Sequence, residues 1–198
     1  MFTLREPSDT DIERFLYSQS NLHFSYGEVG ATRPNPALEI AAPPGYTLDH
    51  NRVQLGRGTE IFQNGVNALK QWRQFELGWV TIAPRGVKLE RDATVAVKAW
   101  AYGMWSLNAC RVVYVIDEQE PLRRFGFAYG TLPDHVARGE ERFLIEWDAR
   151  DERVWYDILA FSRPRHPLVR AGFPVARMLQ KRFARDSLRV MKSLVNSV

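Results

Sequence analysis

The order of secondary-structure signals along the chain constrains its fold more than any single motif. Seven segments are short, rich in branched and aromatic residues and bounded by turn residues, which predicts β-strands. They span 46–56, 77–83, 94–102, 108–117, 123–132, 140–148 and 153–162. After the seventh segment, apolar residues recur mostly every three or four positions from Leu168 to Leu194, which predicts a long amphipathic helix. A shorter helical pattern occupies residues 58–75.

This order predicts an α+β fold with one seven-stranded antiparallel sheet. Consecutive strands that are joined by short polar turns pair as neighbours. The long C-terminal helix has one apolar stripe and can cover one face of the sheet. A curved sheet that grips a helix tends to leave an internal cavity, and cavities of this kind bind small molecules.

We divide the chain into an N-terminal extension, residues 1–45, and a domain, residues 46–198. In the extension, acidic and hydroxyl residues before Ile12 and Phe15 predict a short helix over 9–20, and the prolines that follow predict an irregular connector. The last strand is apolar on both faces, so the face away from the C-terminal helix needs a second cover. We expect either the extension or the second subunit of a homodimer to provide it.

The composition favours a soluble protein of a reducing compartment. The single cysteine, Cys110, lies in an apolar run, so an intramolecular disulfide is impossible and a zinc cluster is implausible. The N-terminal segment is charged, without the apolar core of a signal peptide, and no window is long enough for a membrane span. We therefore expect a cytoplasmic protein with no stable membrane insertion.

Positive charge is concentrated at the C-terminal end. Residues 163–198 carry nine Lys and Arg against one acid, Asp186, although the net charge of the whole chain is only +4. A basic helix can meet an anionic membrane surface, nucleic acid or an acidic ligand, but it is more often a solvated helix face. We favour the solvated face. We expect no nucleic-acid partner, because aromatic residues are not interleaved with the arginines as stacking platforms.

Several long, spaced motifs resemble the family catalogued as domain of unknown function 1990. They are RVQLGRGTEIF (52–62), RVVYV (111–115), GTLPDHVARGEERF (130–143), VWYDILAFSRPRH (154–166) and FPVARMLQKRFARDS (173–187), and the likeness covers residues from about 20 to 190. The order of elements is similar to the helix-grip architecture of the START and birch-pollen-allergen superfamily. The resemblance implies a protein that binds lipids, sterols or other apolar molecules, or a cyclase or hydrolase. It carries no mechanism and therefore no catalytic residue.

Five residues are candidates for catalysis in the expected cavity. Arg111 and Asp157 lie in otherwise apolar strands, where an unpaired charge is costly. Arg111 would hold a ligand carboxylate or enolate, while Asp157 or Glu141 polarises a hydroxyl or moves a proton. Tyr129 would orient a ligand oxygen, and His135, at the end of an element, would act as a base near neutral pH. Ordinary burial statistics favour a competing interpretation, in which the charged residues pair across the sheet or project from its outer face.

Five further residues are candidate ligand contacts: Trp105, Phe127, Tyr156, His166 and Tyr26. In the fifth strand, the aromatic residues share one face and the small residues share the other, which leaves room for a ligand or for close packing. In the extension, Glu28 and Arg33 would be accessory contacts. No compact spacing of histidine, cysteine or carboxylate residues indicates a metal site, and we expect no cofactor.

These observations support two functions from different classes. The first is the binding of an apolar or amphipathic molecule that is lipid-, isoprenoid- or polyketide-like, between the sheet and the C-terminal helix. The alternative is an enzyme on the same scaffold that uses proton transfer for cyclisation, dehydration or hydrolysis. Phosphate-binding loops, dinucleotide fingerprints and the nucleophile elbow of serine hydrolases are missing from the sequence, which disfavours nucleotide chemistry and serine hydrolysis.

Overall fold

The computed structural model describes residues 1–34, 40–119, 122–165 and 173–196. Within these ranges the strands are β1 Phe2–Thr3, β2 Thr47–Arg57, β3 Val80–Ala83, β4 Thr94–Ala101, β5 Met104–Glu118, β6 Arg123–Thr131, β7 Ala137–Trp147 and β8 Arg153–Pro164. The helices are α1 Asp9–Gln19, α2 Gly58–Lys70 and α3 Phe173–Val195, and a 3-10 turn spans Arg73–Phe75. All seven predicted strands and the long C-terminal helix are present. The short β1 has no counterpart in the sequence prediction.

The strands form one antiparallel sheet in the order β2-β8-β7-β6-β5-β4-β3, and β1 pairs with the beginning of β5. From β3 to β8 each strand lies beside the next one in the chain, as expected for short connections. The first long strand, β2, pairs with the last, β8, so α2 crosses from one edge of the sheet to the other. The predicted α+β fold, a seven-stranded antiparallel sheet with a long C-terminal helix, is confirmed.

The inner face of the sheet is the face that packs against α2 and α3. Strand β6 directs Phe125, Phe127 and Tyr129 to this face, and Phe143 and Ile145 of β7 lie beside them in the same buried cluster. Alternate residues of a strand point to opposite faces, so these inward residues are two positions apart. Helix α3 adds an apolar stripe that includes Met191 and Val195, both almost fully buried.

Helix α2 fills one half of the space between the sheet and α3. Phe62, Val66 and Leu69 are buried at the spacing of one helical face, as the sequence predicts. Gly65 allows the helix to approach the sheet closely, because a Cβ atom at this position would stand 3.3 Å from the Ile145 side chain. Phe75 of the 3-10 turn completes this packed half.

The outer face is covered by the N-terminal part of the chain. Helix α1 begins at the capping residue Ser8, whose hydroxyl accepts a hydrogen bond from the Asp11 N–H. Its residues Ile12 and Phe15 pack on a buried cluster that includes Leu107 of β5. Residues 24–33, which we call the strap, lie across β6, β7 and β8.

The strap is fastened by one buried carboxylate, Glu140 of β7. This side chain accepts hydrogen bonds from the Tyr26 hydroxyl and the Gly30 N–H, each at 2.7 Å, and from the Thr32 N–H at 3.0 Å and the Thr32 hydroxyl. Thr32 is itself almost completely buried. Because hydrogen bonds to a charged acceptor are stronger than neutral ones, this cluster holds the strap against the outer face.

Candidate functional site

A cavity of about 1200 Å³ lies between the inner face of the sheet and the N-terminal half of α3. It exists because small residues stand on both walls: Ala99 and Ala160 on the strands, and Ala176 and Ala184 on the helix. The aromatic side chains of α2 and the following turn occupy only the other half of the interior. The wall is otherwise mainly apolar and includes Phe75, Trp79, Val80, Val97, Ile158, Leu179 and Phe183.

Two polar residues face each other across neighbouring strands of this wall. Tyr129 of β6 and Glu141 of β7 are directly opposite in the sheet register, on its inner face. The Tyr129 hydroxyl donates a 2.6 Å hydrogen bond to Glu141 Oε2. Both side chains line the cavity, and Glu141 is partly accessible. A short hydrogen bond between a phenol and a carboxylate therefore sits on an apolar wall.

Burial changes the acid–base properties of this pair. It raises the pKa of Glu141 from 4.5 to about 7, and the nearby Asp49 carboxylate adds to the increase, while the hydrogen bond from Tyr129 opposes it. Burial and the Glu141 carboxylate raise the pKa of Tyr129 well above its usual value. At neutral pH, Glu141 is thus present in both protonation states, and Tyr129 remains a hydrogen-bond donor. This is the acid–base behaviour expected of a group that transfers protons.

The mouth of the cavity is crossed by two polar contacts between α3 and the edge of the sheet. Arg177 of α3 donates to both carboxylate oxygens of Asp49 in β2, one of them at 2.6 Å. One turn further along α3, Gln180 donates to the Ser162 hydroxyl of β8 at 3.1 Å. Gln180 also accepts a 2.8 Å hydrogen bond from Arg177. These contacts fix the position of α3 over the cavity.

His135 also lines the cavity, at the turn between β6 and β7. Its Nδ1 lies 3.0 Å from the Ala137 nitrogen and 3.1 Å from the Ala137 carbonyl oxygen. Burial lowers the pKa of His135 to about 4. The residue lies where a ligand can reach it, but its pKa is too low for the predicted role as a base near neutral pH.

Two predicted ligand contacts, Phe127 and Tyr156, point inward but lie behind the cavity, in the packed core. The ring of Phe127 is 4.7 Å from the ring of Trp72, and its side chain is fully buried. Tyr156 is also fully buried, and its hydroxyl is 3.0 Å from the Ser187 hydroxyl of α3. Their contacts join the sheet to the helices.

Arg111 and Trp105 lie on the outer face, which contradicts their predicted roles in the cavity. Arg111 donates to three backbone carbonyls at the end of α1, those of Gln19, Ser20 and Leu22, at 2.7–3.1 Å. Trp105 packs against Trp100, with ring centres 5.1 Å apart. Arg111 is therefore explained by the outer-face alternative, since the last carbonyls of a helix need donors and attract a cation.

Asp157 is on the outer face as well, which contradicts its predicted role in the cavity. The side chain is buried, and its carboxylate accepts from Arg142 and lies next to His50, each at 2.6 Å. This arrangement is the predicted alternative of charge pairing across the sheet. Tyr26 belongs to the strap and donates to Glu140, so it borders the outer face and does not reach the cavity.

The last predicted contact, His166, lies outside the described residues. In the parts of the chain that the structure describes, no group of three or more histidine, cysteine, aspartate or glutamate side chains is arranged to hold a metal ion. The described helices also include none that is long and apolar enough to span a membrane.

Asp49 and Arg177 are cavity residues that the sequence analysis did not identify. Asp49 is four residues before the core residue Val53, so strand alternation places both on the inner face. Arg177 is seven residues before Ala184, so helical spacing places it on the buried side of α3. These two periodicities are the signals that could have identified the pair.

The sheet, the helix that it grips and the cavity between them define a helix-grip protein, and the cavity is large enough to hold a small molecule. Within this class the chain belongs to the family described as domain of unknown function (DUF1990), whose sequence model matches residues 25–190. The predicted family is thereby confirmed over nearly the same range.

Relatives occur in distant organisms. A UPF0548 protein of Dictyostelium discoideum is 36% identical over 209 residues, which covers 100% of this chain and 97% of the relative. A UPF0548 protein of Arabidopsis thaliana is 37% identical, over an alignment that covers 77% of this chain and 75% of the relative. Among solved structures, Ara h 8.0201 aligns with a TM-score of 0.48 at 12% identity, over 78% of this chain and 100% of that one.

Proposed function

We propose that the protein binds an apolar or amphipathic small molecule, lipid-, isoprenoid- or polyketide-like, in the cavity between the sheet and α3. The observation that carries this proposal is a mainly apolar cavity of about 1200 Å³ with the hydrogen-bonded pair Tyr129 and Glu141 on its wall. Ligand sites are typically about 300–1,000 Å³, mostly apolar, with a few polar groups that orient the ligand. The cavity is likewise mostly apolar, and its volume of about 1200 Å³ lies above this range, so it has room for a large ligand.

The polar pair determines how such a ligand would be oriented. In its protonated state Glu141 can donate a hydrogen bond, and in its ionised state it can only accept one. A ligand hydroxyl placed beside the pair therefore finds a partner in either state, whereas a ligand carbonyl finds a donor in Glu141 only when Glu141 is protonated. The other end of the ligand would extend along the apolar wall towards the mouth of the cavity.

The first test combines native mass spectrometry with a cavity-filling variant. Protein purified without denaturation is expected to retain an apolar molecule, which native mass spectrometry detects as a mass above that of the chain. The protein should also bind the fluorescent probe 1-anilinonaphthalene-8-sulfonate. Ala99→Phe places a ring inside the cavity and should abolish probe binding, whereas the exposed control Ala149→Phe should not. Equal probe binding by both variants would rule out the cavity as the binding site.

A second candidate function is proton-transfer catalysis in the same cavity. The specific observation in its favour is the pKa of Glu141, about 7, next to a phenol that stays protonated. In this role the Glu141 carboxylate would remove a proton from a carbon next to a ligand carbonyl. The Tyr129 hydroxyl would then turn to donate a hydrogen bond to the enolate oxygen.

Hydrogen exchange tests this second function without knowledge of the natural substrate. We expect the protein to speed the exchange of the α-hydrogens of 2-tetralone in D₂O, with a rate that rises through a midpoint near pH 7. Glu141→Gln should remove the effect, and Ser106→Ala, on the same wall, should retain it. If the unmodified protein gives the same exchange rate as buffer, proton-transfer catalysis is ruled out and ligand binding is the remaining proposal.

We also propose a cytoplasmic location, supported by a single cysteine that is buried and free. The partner we propose is the small-molecule ligand, with no nucleic acid. A homodimer remains a prediction of the sequence analysis.

A further inference from the structure

The mouth of the cavity is surrounded by exposed apolar side chains. Phe2, Tyr102, Met104, Val175 and Met178, which we call the mouth patch, have exposed fractions between 43% and 65%. Four of them also line the cavity, and Met178 lies 3.9 Å from the Tyr102 hydroxyl. The patch is thus continuous with the apolar interior. Scattered apolar residues are normal on a surface, but a contiguous patch marks an interaction site.

Tyr102 occupies a position that a bulky residue rarely takes. It forms the two-residue turn between β4 and β5 with Gly103, and both have positive φ angles, 51° and 76°. Turns of this kind favour asparagine followed by glycine, because a larger side chain in the left-handed region is strained. An aromatic ring is therefore held at the tip of the hairpin despite a conformational cost, and it points away from the packed core.

Basic side chains of α3 stand beside the mouth patch. Lys181, Arg182 and Arg185 line a groove of about 660 Å³ together with Tyr102 and Met178. All three basic residues are exposed, and one acid, Asp186, lies close to the two arginines. The patch thus combines apolar side chains with an excess of positive charge. An anionic lipid surface complements both features, because lysine and arginine attract its headgroups while aromatic and aliphatic side chains enter the interfacial region.

We propose that the mouth patch and the basic groove dock the protein on the surface of an anionic lipid bilayer, with the mouth of the cavity facing the membrane. An apolar ligand could then move between the bilayer and the cavity without crossing water. Docking of this kind is peripheral and agrees with the expected lack of stable insertion. The sequence analysis favours a solvated basic helix, because charge runs usually lie on solvated faces. The apolar residues that complete the surface come from β1, the β4–β5 turn, β5 and α3, which are distant in sequence.

Co-sedimentation with vesicles tests this proposal. The protein is expected to bind vesicles of phosphatidylcholine with 30% phosphatidylserine, and to bind phosphatidylcholine vesicles much more weakly. Lys181→Gln/Arg185→Gln should weaken binding about 25-fold, since each basic residue near an anionic surface contributes about fivefold. The control Lys88→Gln/Arg91→Gln removes two exposed charges from the loop before β4, at the opposite end of that strand, and should bind as the unmodified protein does.

The apolar half of the surface is tested separately at high salt, where screening removes most of the electrostatic attraction. Tyr102→Ser/Met178→Ser should weaken the remaining binding about tenfold, whereas Tyr17→Ser, which changes an exposed tyrosine on α1, should not. Circular dichroism would confirm that each variant is folded.

Three results would overturn the docking proposal. The first is no sedimentation of the unmodified protein with phosphatidylserine vesicles at low salt, and the second is vesicle binding by Lys181→Gln/Arg185→Gln and Tyr102→Ser/Met178→Ser equal to that of the unmodified protein. The third is binding to polyglutamate without binding to vesicles. The last would assign the surface to an acidic protein. The docking proposal and the ligand proposal fail separately, because Ala99→Phe blocks the cavity and leaves the docking surface unchanged.

Discussion

Replacing Glu141 by glutamine should stabilise the protein at alkaline pH and have little effect at acid pH. Glutamine has nearly the same shape and can still accept the hydrogen bond from Tyr129. The pKa of Glu141 is about 7 in the folded protein and 4.5 without the protein environment. Because the folded state binds this proton more tightly, the stabilisation is present below pH 4.5 and is lost as the pH rises through 7. Glu141→Gln removes this loss.

The magnitude follows from the difference between the two pKa values. A shift from 4.5 to about 7 corresponds to about 3.4 kcal/mol once the group is fully ionised in both states. Between pH 5 and pH 8, the free energy of unfolding of the variant relative to the unmodified protein should therefore increase by about 2.5 kcal/mol. Water inside the cavity would solvate the carboxylate and reduce this value.

Urea unfolding at the two pH values, followed by tryptophan fluorescence, measures this difference. A control variant, Ser106→Ala, removes a polar group from the same wall without removing a titrating one. Its effect on the free energy of unfolding should be the same at pH 5 and pH 8. If the effect of Glu141→Gln is also independent of pH, the pKa of Glu141 is not raised, and the reasoning about the polar pair is wrong.

Three other substitutions test the outer face, each by chemical denaturation. Gly130→Ala would place a Cβ 2.1 Å from the Tyr26 hydroxyl. It should destabilise the protein by about 1–3 kcal/mol because the strap is displaced. An unchanged denaturant midpoint would mean that the strap can move without loss of stability. Arg142→Met leaves the buried Asp157 without its arginine partner and should cost about 3–5 kcal/mol; a stable variant would show that His50 suffices. Arg111→Met should lower stability by about 1–2 kcal/mol and leave probe binding in the cavity unchanged; reduced probe binding would contradict the assignment of Arg111 to the outer face.

The sequence predicted the elements well because their signals are local. Strand segments were recognisable from residue types and bounding turns. Their bounds agree with the structure within two residues, except that β5 and β7 begin four and three residues earlier and β3 begins three residues later. The pairing of β2 with β8 is a contact between distant parts of the chain. The two-residue β1 is too short to show any alternation, so its pairing with β5 could not be predicted.

The sequence did not predict which face of the sheet each candidate occupies. Strand alternation separates Glu140 from Glu141 and Tyr156 from Asp157, but it does not say which of each pair faces α3. Both faces of this sheet are buried, so hydrophobicity does not distinguish the inner face from the outer one. Of the five catalytic candidates, the structure places Tyr129, Glu141 and His135 on the cavity and Arg111 and Asp157 under the N-terminal part of the chain.

The contrast between Glu140 and Glu141 links the fold to the proposed function. These neighbouring residues of β7 point to opposite faces, and both are enclosed by protein. Glu140 accepts four hydrogen bonds from the strap, so its charge is compensated and its role is structural. Among the residues that the structure describes, Glu141 has one hydrogen-bond donor, Tyr129, and Asp49 is near enough to raise the pKa of Glu141. A carboxylate with few partners on an apolar wall has hydrogen-bonding capacity left for a ligand. The different number of hydrogen bonds to these two adjacent glutamates therefore supports the inner face as the proposed binding face.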